Sequence, residues 1–300
     1  MSRNVTVGVD GSLESWAAAE WAAREADLLS APLRVVHVWQ PLTQAPLLGV
    51  EAGRDQAEQM LQEAAEGLRR RHPRIQVTVE HLPGRPAEAL CRAASEAELL
   101  ALGSRALGGV GGFVLGSVGL SVAAHAERPV VLVRADEHAT PDQEDQETEP
   151  AQTSSGARAY RPVVLGLDAA SPDDGVIEFA FDAAVRRSTS LRVVHGWYPP
   201  PYFGHTLAGD TELHATAARS ASAVLTEALG PWRQKYPDIE VVEDALFGSA
   251  VHLLVDASRR ASLVVVGRRA RHRLLGTHIG PVAHGVLHHA TAPVAVVAHN

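Results

Sequence analysis

The sequence is poor in the residues that announce many common functions. It has one cysteine, Cys91, in 300 residues. That excludes an internal disulfide framework and fits a reducing compartment. Cys91 falls at an apolar position of a helical stretch, AEALCRAASEAELL, where a buried, inert thiol is expected. There is a single lysine, Lys235, far from any glycine-rich stretch, so no Walker-type phosphate loop is present. A Gly-x-Ser-x-Gly elbow and a kinase motif set are also absent. No apolar run approaches the ~20 residues of a membrane span. The opening MSRNVTVGVD runs into a strand with no signal-peptide core, so a cytoplasmic protein with no membrane partner is expected. The net charge is −8, but residues 135–160 hold seven carboxylates and one arginine. The remainder is near neutral and has no basic stripe, which argues against a nucleic-acid partner.

What the sequence does contain is an α/β pattern, written twice. VTVGVD (Val5–Asp10), LRVVHVW (Leu33–Trp39) and the alternating IQVTVEHL (Ile75–Leu82) read as strands. Helices are expected from about Ser15 to Leu29, from about Arg54 to Arg71, and from Pro86 onward. VVLGLD (Val163–Asp168) and LRVVHGW (Leu191–Trp197) repeat the first two strands at an offset of 158, which becomes 164 by Gly248 and Gly267. Residues 135–160 are acidic, carry proline and serine, and have no hydrophobic period, so they read as a disordered linker. The expected organisation is a first domain over 1–134, the linker over 135–160 and a second domain over 161–300. A repeat this long means duplicated domains. Alternating strands and helices predict parallel sheets covered on both faces.

The stretch Leu99–Val133 is the centre of the first half. An apolar run leads into a loop with five glycines, Gly103, Gly108, Gly109, Gly111 and Gly112, closed by Gly116-Ser117, a short helix and the strand Val130–Val133. Glycines admit backbone N–H groups close to an anion, and Ser117 adds a hydroxyl near a helix N-terminus. The physical reading is a phosphate cradle. Asp10, at the end of the first strand, leaves two readings open. It could accept hydrogen bonds from a ribose or an adenine amino group, or it could shape the turn with Gly11-Ser12 and cap the helix. His37 and His195 recur at matching strand positions, which suggests packing with a hydrogen bond more than catalysis.

Gly103, Ala106, Gly116 and Ser117 keep the spacing of the Gly-x2-Gly-x9-Gly-Ser/Thr loop, with alanine at the second glycine. With the strand landmarks, this resembles the ATP loop of universal stress proteins, in a tandem two-domain form. The resemblance implies two Rossmann-like domains (adenine nucleotide alpha hydrolase-like), each a five-stranded parallel sheet of order 3-2-1-4-5. It also implies that the last strands pair to make a pseudo-dimer within the chain. It implies ATP, with or without Mg²⁺, held by Gly8, Val9, Asp10, Val38, Leu102, Gly103, Ala106, Gly116, Ser117 and Val118. It further implies a non-catalytic regulator of stress or dormancy physiology, with an unidentified protein partner. A homodimer is expected on general grounds. The rival readings are a nucleotide-independent scaffold and a slow ATPase using Asp10.

The second half resembles a worn copy. Gly267, Ala270, Gly280 and Pro281 keep the spacing, but proline brings neither a hydroxyl nor an N–H. RRARHR (Arg268–Arg273) stands where the first loop has glycines, either as a phosphate clamp or as a solvated basic loop. Gly196 stands where the first half has Val38. His284, His288 and His289 include an i, i+4 pair, but no carboxylate or cysteine joins them nearby, so no metal site is assigned.

Overall fold

The computed structural model describes residues 4–39, 47–104, 116–135, 160–198, 211–269 and 279–299. Ala106, the four glycines from Gly108 to Gly112, Ala270–Arg273, His278 and nearly all of the expected linker lie outside the described residues.

The first repeat runs β1 (Asn4–Gly8), α1 (Leu13–Leu28), β2 (Leu33–Trp39), α2 (Leu47–Arg71), β3 (Val77–Pro83), α3 (Pro86–Ser95), β4 (Ala97–Ser104), α4 (Ser117–His125) and β5 (Val130–Arg134). Its strands lie in the order β3-β2-β1-β4-β5, every adjacent pair parallel. Val5, Val7, Leu33, Val35, Leu99 and Leu100 are all buried, as strands covered on both faces must be. Against them α1 presents Ala18, Ala19, Ala22, Ala23 and Ala26, all buried. These small side chains let the helix axis approach the sheet closely.

The second repeat runs β6 (Val163–Gly166), α5 (Asp174–Arg187), β7 (Leu191–Trp197), α6 (Thr211–Lys235), β8 (Val241–Phe247), α7 (Ala250–Ser258), β9 (Leu263–Arg269), α8 (Pro281–His289) and β10 (Val294–His299). Its order, β10-β9-β6-β7-β8, is the first repeat's order read from the other side. Pairs outside the core repeat as well: Arg34 bridges Glu80 at 2.6 Å in the first unit, and Arg192 pairs with Asp244 in the second. Among the described residues no helix is long and apolar enough to cross a membrane.

The connections position the site. From β1 the chain moves outward to β2 and β3, then α3 carries it back past β1 to β4. The direction reverses between β1 and β4, whose ends lie in register at Gly8 and Leu102. Ligands of open parallel sheets bind at the carboxyl ends of strands that part in this way.

Candidate functional site

A cavity of about 310 Å³ opens at that reversal point in the first repeat. The end of β1 supplies Gly8, Val9 and Asp10, β4 supplies Leu102 and Gly103, and the start of α4 supplies Gly116, Ser117, Val118 and Gly119. Val38 of β2 completes the expected set, so nine of the ten residues singled out in the sequence line one cavity, and Ala106 is outside the described residues. Ser12, Ser15, His37, Pro86 and Leu90 also line it, and sequence reasoning did not place them there.

The turn after β1 is built around Asp10. Gly11 takes a φ of +83°, a left-handed conformation that glycine adopts without strain. This lets Asp10 Oδ1 accept from both Ser12 N (3.0 Å) and Ser12 Oγ (2.5 Å). Ser12 Oγ in turn accepts from Ser15 N at 3.2 Å and caps α1. Ser15 Oγ donates to Ser12 O at 2.8 Å and accepts from Asp10 N at 3.3 Å. The cap of α1 is therefore Ser12, and the helix begins at Leu13, two residues before the expected Ser15. Asp10 shapes the turn while still lining the cavity. Ser12→Ala is expected to lower stability by about 1 kcal/mol, measured by urea denaturation, because the cap is lost.

Gly103 brings α1 and β4 together. A methyl group there would lie 2.5 Å from Glu14 C and 2.6 Å from Ser15 N, so the first turn of α1 rests directly on this residue. At the other wall, α4 starts at Ser117 behind Gly116, which offers no side-chain cap. The N–H groups of its first turn have no helical acceptor by position. Two helix N-termini, with their partial positive charge, thus border one cavity, and Asp10 is the single carboxylate lining it among the described residues. This arrangement suits a ligand with an anionic tail and a hydroxyl-bearing body.

His37 sits in the β2 wall, where burial holds its pKa below the ordinary imidazole value. Neighbouring His81 pushes in the same direction, against a smaller upward pull from Asp10. His284 on α8 is also lowered, by burial and then by His288. For such groups the unfolded chain takes up protons first as pH falls. Their contribution to stability is fully present above about 6.5 and lost below it. Denaturation midpoints are expected to fall between pH 7.5 and pH 5.5, with a shallower slope in His37→Phe.

The corresponding residues of the second repeat make different contacts. A methyl group on Gly196, the counterpart of Val38, would lie 2.8 Å from both N and Cα of Ala250. The start of α7 occupies that space. Asp168, counterpart of Asp10, faces Arg269 Nη2 at 3.7 Å. Ser12 is replaced by Ala170, and the cap passes to Asp173. On the 158 offset α5 therefore starts about one turn later than α1. The space left holds His299, whose ring lies 3.0 Å from a methyl on Gly267 and whose Nδ1 is 3.5 Å from Asp173 Oδ2.

These findings correct two expectations. Arg268 and Arg269 end β9 instead of lying in a loop: Arg268 is buried, while Arg269 is exposed and faces Asp168. Cys91 is half-buried, not enclosed.

A five-stranded parallel sheet written twice, with a ligand-type cavity at the reversal point of the first copy, defines a tandem protein of the Rossmann-like α/β class. Comparison with known proteins narrows this. Residues 1–134 and 159–298 match the universal stress protein family, and the chain belongs to it. It is 32% identical over 312 residues to the universal stress protein Rv2005c of Mycobacterium tuberculosis H37Rv, an alignment covering 97% of this chain and 96% of the relative. A universal stress protein of Mycolicibacterium smegmatis is 31% identical over 306 residues, covering 98% of this chain and 96% of that one. The crystal structure of a universal stress protein from Archaeoglobus fulgidus shares the fold across 100% of both chains, with a TM-score of 0.72 and 18% identity.

Proposed function

We propose that this universal stress protein is a non-catalytic, ATP-responsive regulator of stress or dormancy physiology, with the nucleotide held in the cavity of the first repeat. One observation carries the reading: the start of α4, the Gly103 seat and Asp10 border a single cavity. The phosphates lie against the first turn of α4, where N–H groups and the Ser117 hydroxyl meet them. The ribose and adenine lie toward Asp10 and the end of β2. Turnover is not expected, because phosphoryl transfer needs groups that position a metal and a nucleophile. Among the described residues Asp10 is the one carboxylate lining the cavity, and it is already engaged by Ser12. The second repeat contributes structure, and a homodimer of whole chains is part of the same proposal.

The test is extraction. The protein is purified without added nucleotide, denatured, and the supernatant quantified and then checked by titration. About one adenine nucleotide per chain is the expected result. Two per chain would show that the second repeat also binds. None, followed by no ATP binding in titration, would overturn the proposal in favour of a scaffold that works by protein contacts alone. Light scattering on the same sample reads whether two chains associate.

A further inference from the structure

His37 is the cavity-lining side chain to which the reading above gives no task. It stands in register with His81 of β3, the two rings edge to face with centroids 5.6 Å apart. Its Nδ1 is buried and has no hydrogen-bond partner among the described residues. A polar atom left in this way is costly, and in native proteins it asks for an explanation.

The duplication supplies an internal comparison. His195 holds the same position in the second repeat, 158 residues on. Its Nδ1 lies 3.0 Å from Leu167 O and 3.4 Å from Ala169 N, so its own backbone satisfies it. In that repeat the start of α7 packs against Gly196, and Arg269 faces Asp168. The histidine of the second repeat is satisfied by backbone groups, whereas that of the first, which lines a cavity, has no partner for Nδ1 among the described residues.

We propose that His37 is a nucleoside-contacting residue, its imidazole hydrogen-bonding to a ribose hydroxyl of the nucleotide bound in the first repeat. This rests on the reading of that cavity as a nucleotide site. The direction of the ligand follows from the fold. The anion-binding first turn of α4 follows β4, and β2 lies on the opposite side of β1. The side of the cavity formed by β2 therefore faces the sugar and base, not the phosphates. A hydroxyl both donates and accepts, so it can serve the neutral imidazole in either tautomer, whereas an ionised phosphate oxygen only accepts. Burial favours that neutral form.

The experiment is calorimetric titration of the full chain, freed of nucleotide, with ATP, 2′-deoxy-ATP, 3′-deoxy-ATP and inorganic tripolyphosphate. Wild type is compared with His37→Phe and His37→Leu, and a variant is read when it keeps the wild-type circular dichroism spectrum. Wild type is expected to favour ATP over one of the deoxy analogues by about tenfold, the weight of one hydrogen bond. Loss of the imidazole should weaken ATP by a similar factor and bring the ATP-to-analogue ratio close to one. Tripolyphosphate binding should not change. Wild-type ATP affinity and an unchanged ratio in a folded variant would overturn the proposal. So would an equal weakening of all four ligands, which would mark a structural role. If wild type binds no adenine nucleotide, the nucleotide-site reading fails first and this assignment falls with it.

Discussion

Gly103→Val is expected to abolish ATP binding and to destabilise the first repeat by more than about 3 kcal/mol. The usual cost of overpacking is about 1–3 kcal/mol, because neighbouring side chains can turn aside. Here they cannot. The atoms nearest a β-carbon at Gly103 are Glu14 C, Ser15 N and Glu14 O, at 2.5, 2.6 and 2.7 Å, all of them backbone. To make room, the first turn of α1 has to lift. That turn carries Ser12, which caps the helix and holds Asp10 in the cavity wall, so stability and the site fail together. Gly267 is the control, because a β-carbon there meets the His299 ring at 3.0 Å and Val176 Cγ2 at 3.3 Å. Side chains can give way, so Gly267→Val should cost no more than the ordinary overpacking range and leave ATP binding intact. Urea denaturation with and without ATP reads both effects. A Gly103→Val protein within about 1 kcal/mol of wild type would contradict the close seating of α1 on β4.

Much of this was legible in the sequence because the two governing signals are local. Apolar runs and alternation gave the strands, and the 158-residue offset gave the duplication before any contact was known. The glycine spacing placed the cavity at the right strand ends. What stayed hidden depends on which atoms meet across the fold. The sequence reading makes Gly103 part of a glycine loop that lines a nucleotide; the structure adds that it is a place for helix α1 to rest. The two readings of Asp10 merge, since one carboxylate both orders the turn and lines the cavity.

The changed contacts of the second repeat had a readable half and an unreadable half. The change from Ser12 to Ala170 removes a cap, and the Ser-Pro-Asp-Asp that follows offers a later one, which is a sequence-level sign that α5 starts further on. That His299 fills the vacated space could not be read, since its counterpart in the first repeat is Ala135 and the repeat pattern gives it no role. His37 raises a related point. A histidine recurring in corresponding strands reads as packing with a hydrogen bond, and His195 makes one. Only the three-dimensional comparison separates its satisfied Nδ1 from the unsatisfied one of His37.

Ser117→Pro writes the second repeat's residue into the first and should separate binding from folding. Pro281 occupies the corresponding position at the start of α8, and proline is favoured at the first residue of a helix because its missing N–H has no helical acceptor there. The preceding Gly116 is already extended, with φ −56° and ψ 138°, which is the conformation a following proline requires. Stability should therefore stay within about 1 kcal/mol of wild type. Binding should not survive so well. The substitution removes a hydroxyl and a backbone N–H from the end of the cavity assigned to the phosphates, and hydrogen bonds to charged groups are worth about 1.5–3 kcal/mol each. ATP affinity is expected to fall at least about a hundredfold, while Ser117→Ala, which keeps the N–H, should lose only about tenfold or somewhat more. Unchanged affinity in a folded Ser117→Pro protein would remove the phosphates from the first turn of α4. The ribose could then no longer be oriented toward His37, so this measurement bears on both ends of the ligand.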